Sequence, residues 1–145
     1  QYIDSLTHVL NRKYYESKLS VLHTSSIIFF VDINNFKSIN DTYGHIYGDQ
    51  TLAHVGQLLI ETFSQRGECY RIGGDEFSAI LPYKGTNPQE YIHIIQHKVN
   101  QFQKEDDRFP SLAIGYATFH EDDNIDSVIE VADHMMYKNK ASAKK

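Results

Sequence analysis

The chain has 145 residues, 41% of them hydrophobic, 23% charged and 12% aromatic, a size that argues against a two-domain enzyme and a balance that excludes a disordered tail or a coiled coil. A net charge of −5 supplies no field to gather polyanions, so nucleic-acid binding is not expected, and no apolar run reaches the roughly 18 residues needed to cross a bilayer. The single cysteine, Cys69, rules out an internal disulfide framework and fits a reducing, cytoplasmic compartment.

After the turn-forming Asp4–Thr7, residues 11–23 carry Tyr15, Leu19 and Leu22 at helical spacing. Ile27–Val31 is a continuous β-branched and aromatic run that predicts a central strand covered on both faces and ending at Asp32. Residues 34–45 form a polar connection too rich in hydrogen-bonding groups for an ordinary crossover. A helix follows over 49–63, with Leu52, Val55, Leu59 and Phe63 on one stripe and Asp49 in its first turn. Cys69–Ile72 and Phe77–Leu81 read as a β-hairpin around Gly73-Gly74-Asp75-Glu76, closed by Pro82. Asn87-Pro88 opens a helix over 88–104; its pair His93 and His97 lacks the flanking pattern of a metal helix and reads as a solvated face. A strand over 111–119 and a helix over 125–140 complete the order. One α+β domain over 1–145 is expected, with a mixed, mainly antiparallel central sheet flanked by helices, mostly on one face, in a ferredoxin-like or polymerase-palm arrangement.

Chemistry concentrates where Asp32 ends the central strand and Asp75-Glu76 follow the hairpin glycines. If the hairpin pairs beside that strand, the carboxylates converge, and hard oxygen ligands without nitrogen or sulfur suit Mg²⁺. Gly73 and Gly74 would let the main chain turn sharply and let a phosphate approach it. Each feature alone has a structural reading: Asp32 as a helix cap, Gly-Gly-Asp as a plain hairpin turn.

Together, Arg71-Ile72-Gly73-Gly74-Asp75-Glu76-Phe77, Asp32-Ile33-Asn34-Asn35-Phe36-Lys37-Ser38-Ile39-Asn40-Asp41 and Gly44-His45-Ile46-Tyr47-Gly48-Asp49 closely resemble the GGDEF family of bacterial diguanylate cyclases. Leu6-Thr7, Asn11-Arg12, Ala132-Asp133, Tyr137 and Lys140 extend the resemblance over almost the whole chain. The resemblance implies a nucleotidyl-cyclase palm that binds GTP with Mg²⁺ or Mn²⁺. It also implies a homodimer in which each 3′-hydroxyl attacks the other nucleotide's α-phosphate to give cyclic di-GMP and pyrophosphate. Carried over by position, Asp32 and Asp75 would bind the metal through carboxylates and Ile33 through its carbonyl. Asp75 or Glu76 could deprotonate the hydroxyl, although the metal can lower that pKa alone, so no general base is assigned. Lys37 would face the transferring phosphates, the backbone of Asn35 and Phe36 would cradle them with Gly73 and Gly74, and Lys140 and Lys144 would reach them. Asn40 and Asp49 take the family's guanine-contacting positions; His45 either lines the nucleotide site or steadies the turn after Gly44.

Several positions depart from the family pattern. Asn34 replaces a usual Asp, which predicts weaker metal binding; His8 replaces a turn Gly; Ala143-Lys144 stands for Gly-Arg; Ala113 replaces Ser. Ser64-Gln65-Arg66-Gly67 lacks the Arg-x-x-Asp of product inhibition. The chain reads as a fragment of a longer regulatory protein with sensory or effector domains, a protein that another domain could anchor to a membrane. An alternative is a catalytically weak GTP-binding domain that regulates an attached domain, such as a cyclic-di-GMP phosphodiesterase.

Overall fold

The computed structural model describes residues 2–143. In chain order it contains α1 (Arg12–Ser20), β1 (Ser26–Ile33), α2 (Phe36–Tyr43), α3 (His45–Phe63), β2 (Glu68–Arg71), β3 (Glu76–Pro82), α4 (Pro88–Glu105), β4 (Leu112–Phe119) and α5 (Ile125–Ala143). The four strands lie in the order β2-β3-β1-β4 and every pairing is antiparallel. Among the described residues, parallel contact is limited to an isolated bridge between Leu10 and Tyr70.

β1 is buried along its whole length because alternate side chains enter two separate cores. Ile27, Phe29, Val31 and Ile33 pack with Leu52, Val55, Leu59 and Phe63 of α3 and Ile92, Ile95 and Val99 of α4. Ile28 and Phe30 pack on the other side with Tyr15 of α1 and Val128, Ala132 and Met136 of α5. The helices therefore cover both faces of the sheet, not mostly one. A continuous apolar strand requires this, since either face left open would expose large side chains to water.

Two boundaries differ from the sequence pattern. The polar connection folds into α2, and α3 begins at His45, so Asp49 lies one turn inside the helix and not in its first turn. α2 has one buried side chain, Ile39, with Phe36 partly buried beside the core, too thin a stripe to register as periodicity. Gly44, with φ of 90°, breaks the two helices apart. On the opposite face, a Cβ at Gly115 of β4 would collide with the backbone of Ala132 and Met136, so α5 rests main chain to main chain on the sheet.

Candidate active site

Asp32 is the penultimate residue of β1 and is flanked by Glu76 of β3 and Ala113 of β4. This register brings the end of the central strand beside the hairpin turn, and the Ile33 amide donates to the Asp75 carbonyl at 3.2 Å. Asp32 is only 5% exposed. Lys140 of α5 donates to its Oδ2 at 2.6 Å, whereas Oδ1 is buried with no hydrogen-bond partner. Asp32 therefore does not cap α2; Asn35 stands at that N-cap in left-handed conformation.

Burial and the like charge of Asp75 outweigh the Lys140 ammonium and push the Asp32 carboxyl above its usual range. Glu76 is pushed up by burial and then by the charges of Asp32 and Asp133. Lys140 moves the other way in charge terms: its hydrogen bond to Asp32 strengthens its hold on the proton.

Two cavities meet here. One, of about 600 Å³, is lined by Asp32, Asp75, Glu76, Asp133, Tyr137 and Lys140, with Met136 at its apolar side. The other, of about 460 Å³, is lined by Asn35, Phe36, Lys37, Ser38 and Asp41 and shares Asp75 and Lys140 with the first. Carboxylates thus dominate the first cavity, Lys37 and the start of α2 belong to the second, and Asp75 and Lys140 border both, an arrangement able to take a cation and a polyphosphate together.

The hairpin turn is shaped by hydrogen bonds, without left-handed backbone at either glycine. The amides of Ile72 and Gly73 donate to the Glu76 carbonyl, and Arg71 donates to the carbonyls of Gly73 and Gly74 while also pairing with Asp4 at 3.2 Å. Arg12 adds a bond of 2.6 Å to the Ile72 carbonyl. A Cβ at Gly74 would meet open space, so the main chain is approachable there, whereas one at Gly73 would crowd Glu76 Oε1.

Asn40, His45 and Asp49 line neither cavity and stand around the corner between α2 and α3, where the Asn40 side chain lies so close to Gly48 that a Cβ there would collide with it. Lys144 lies outside the described residues. Asn34 is buried, donates to Ser111 Oγ at 2.7 Å and lines a separate cavity with Gln96 and Asn139, away from the carboxylate pair. Sequence reasoning gave no role to Asp133, Tyr137 or Asp4. The helical spacing of Asp133, Tyr137 and Lys140 on α5 already puts all three on one stripe, a signal that could have found the first two.

The donor set fits a hard divalent ion. Among the described residues no three His, Cys, Asp or Glu side chains form a metal cluster on their own. Two carboxylates and the Ile33 carbonyl would leave the remaining positions to water and phosphate, as Mg²⁺ prefers; Asp32 Oδ1 is a buried acceptor with no hydrogen-bond partner, as is Asn34 Oδ1 in the separate cavity.

A family model described as diguanylate cyclase, GGDEF domain, matches residues 1–145. The chain belongs to the GGDEF family. Diguanylate cyclase DgcN of Escherichia coli K12 is 34% identical over 94% of this chain and 36% of its own length. Probable diguanylate cyclase DgcI of the same strain is 32% identical over 99% of this chain and 32% of its own. This GGDEF domain thus spans about a third of the curated relatives it matches. The crystal structure of the GGDEF domain of DgcB from Caulobacter crescentus, in complex with c-di-GMP, superposes with a TM-score of 0.85 at 26% identity, covering 97% of this chain and 91% of that one. The fold is that of GGDEF domains, and the signature residues 73–77 form the turn that delivers Asp75 and Glu76 to the end of β1. No helix among the described residues is long and apolar enough to cross a membrane.

Proposed function

We propose that this GGDEF domain is a diguanylate cyclase that condenses two GTP molecules into cyclic di-GMP, acting as a homodimer in the cytoplasm and as the catalytic module of a larger regulatory protein. The observation that carries the reading is the buried, unpartnered Oδ1 of Asp32 in an acidic cavity that shares Asp75 and Lys140 with a second cavity bearing Lys37 and the start of α2.

Asp32, Asp75 and the Ile33 carbonyl would hold Mg²⁺ or Mn²⁺. When bound, the metal neutralises phosphate charge and lowers the pKa of the attacking hydroxyl. Lys37 and Lys140 line the adjoining cavity and would serve as point charges for the triphosphate, and the first-turn amides of α2, which no side-chain bond from Asn35 caps, would be available to the same anion. The Asp49 carboxylate would accept the N1–H and N2–H of guanine with Asn40 beside it, a donor pair that adenine does not offer. In each half-reaction a 3′-oxygen forms a bond to the α-phosphorus of the opposing nucleotide, the bond to the bridging oxygen breaks, pyrophosphate leaves, and the hydroxyl proton departs through water or Glu76. Each chain brings one such site, so two chains must face each other for both bonds to form.

The purified domain at high concentration, incubated with GTP and Mg²⁺ or Mn²⁺, should yield cyclic di-GMP by mass spectrometry. Asp75→Ala should yield none while keeping its circular dichroism spectrum. GTP binding without product, even after fusion to a constitutive dimeriser, would replace this reading with that of a regulatory GTP-binding domain.

A further inference from the structure

Asn40 and Asp49 sit on opposite sides of a weakly anchored corner. α2 is only eight residues long and buries Ile39 alone, and the chain then breaks at Gly44. Within the two helices the angle rests on the contact of Asn40 and Phe36 with Gly48, and a residue outside them adds to it.

Arg108, in the loop between α4 and β4, meets both ends of that corner. Its guanidinium lies 4.1 Å over the ring of Tyr47, in the first turn of α3, and 5.4 Å over the ring of Tyr43, the last residue of α2. The two rings meet edge to face at 5.5 Å. Asp106 closes the arrangement, accepting from Arg108 Nε and Nη2 at 2.9 and 3.1 Å and from the Tyr47 hydroxyl at 2.7 Å. The platform behind Arg108 is fixed: Phe109 is buried and stacked on Phe102 at 4.8 Å, the Asp106 amide bonds the Phe102 carbonyl, and Ser111 bonds the Asn34 amide.

We propose that Arg108 is a positioning residue for guanine recognition, clamping Tyr43 and Tyr47 so that Asn40 and Asp49 keep a fixed separation. The inference rests on the GTP-binding reading above. A planar guanidinium can stack on two rings and bind a carboxylate with two parallel bonds; a lysine can keep the charge and only part of the contact. Asn40 already touches α3 at Gly48, so opening the Tyr43–Tyr47 contact would shift Asn40 relative to Asp49 directly.

Calorimetric titration of GTP and of ATP, with Mg²⁺, into wild-type protein and Arg108→Ala tests this, with melting temperature recorded alongside. The GTP Kd is expected to rise about tenfold with unchanged stoichiometry, while ATP binding stays the same, so that the GTP preference falls by the same factor. Arg108→Lys should recover about threefold of that loss. Tyr47→Phe, which deletes only the hydroxyl bonded to Asp106, gives a milder second variant should Arg108→Ala fail to fold, with a rise in GTP Kd of about threefold expected. Wild-type GTP affinity in Arg108→Ala, or equal weakening of GTP and ATP, would overturn the clamp and leave the functional reading standing. Wild-type protein that bound no GTP would overturn both.

Discussion

Lys140 and Asp32, 108 residues apart in the chain, form an ion pair of 2.6 Å that ties α5 to the end of the central strand. The carboxylate side is nearly enclosed, with 7% of its side chain exposed against 28% for the lysine. Lys140 thus holds the oxygen next to the one left without a partner, and in the absence of metal it is the cation that makes a charged Asp32 tolerable.

Removing that lysine should therefore expose a dependence on divalent ions. Lys140→Ala is expected to lose about 2 kcal/mol of stability, between the values for exposed and fully buried pairs. Millimolar Mg²⁺ should raise the melting temperature of this variant more than that of the wild type. Equal shifts in the two proteins would argue against a cation site at Asp32.

Gly48→Ala separates stability from recognition. Alanine favours a helix interior by about 1 kcal/mol over glycine. The added Cβ collides with the end of the Asn40 side chain, which can swing aside. Chemical denaturation should show stability held or raised, whereas titration should show GTP affinity reduced severalfold.

His8 holds a φ of 65°, so the turn is built here with a residue that resists a left-handed backbone. His8→Gly should stabilise the fold by about 1 kcal/mol in urea unfolding, the left-handed penalty less the entropy that glycine adds to the unfolded chain. No gain would mean that the His8 side chain offsets its backbone strain.

Asp4 predicts a response to acid. Burial opposes its charge, yet the Thr7 hydroxyl and amide and the Arg71 guanidinium together hold its carboxyl below the usual range. A carboxylate with a depressed folded pKa contributes stability that is complete above the unfolded value, about pH 4, and is lost as pH falls through the folded one. Asp4→Asn should cost about 1 to 2 kcal/mol at pH 7, and its deficit should shrink below pH 4 as the wild type loses the same contribution. A deficit constant from pH 7 to pH 2 would assign the loss to packing.

Most of the architecture is legible in the residues because periodicity reports burial directly. The stripe through Leu52, Val55, Leu59 and Phe63 and the run Ile27–Val31 each meet a core, and the structure places them there. α2 escaped because one buried residue makes no period. The convergence of Asp32, Asp75 and Glu76 followed from a strand end and a hairpin turn. The Lys140–Asp32 pair did not, since the angle at which α5 crosses the sheet depends on Gly115, far from either residue in sequence. Arg108 carried no signal at all: a charged side chain in a polar loop looks like solvent-facing surface until its aromatic partners are located.

The close seating of α5 at Gly115 gives the two cores different tolerance to mutation. Under α4, which carries no residue of the acidic cavity, exchanging Ile92, Ile95 or Val99 for a similar apolar side chain spends stability and leaves that cavity in place. Under α5 the helix has no cushion of side chains at Gly115 to absorb a change. Exchanging Val128, Ala132 or Met136 should displace Asp133, Tyr137 and Lys140 together, so that variants on this face lose the geometry of the acidic cavity before they lose the fold.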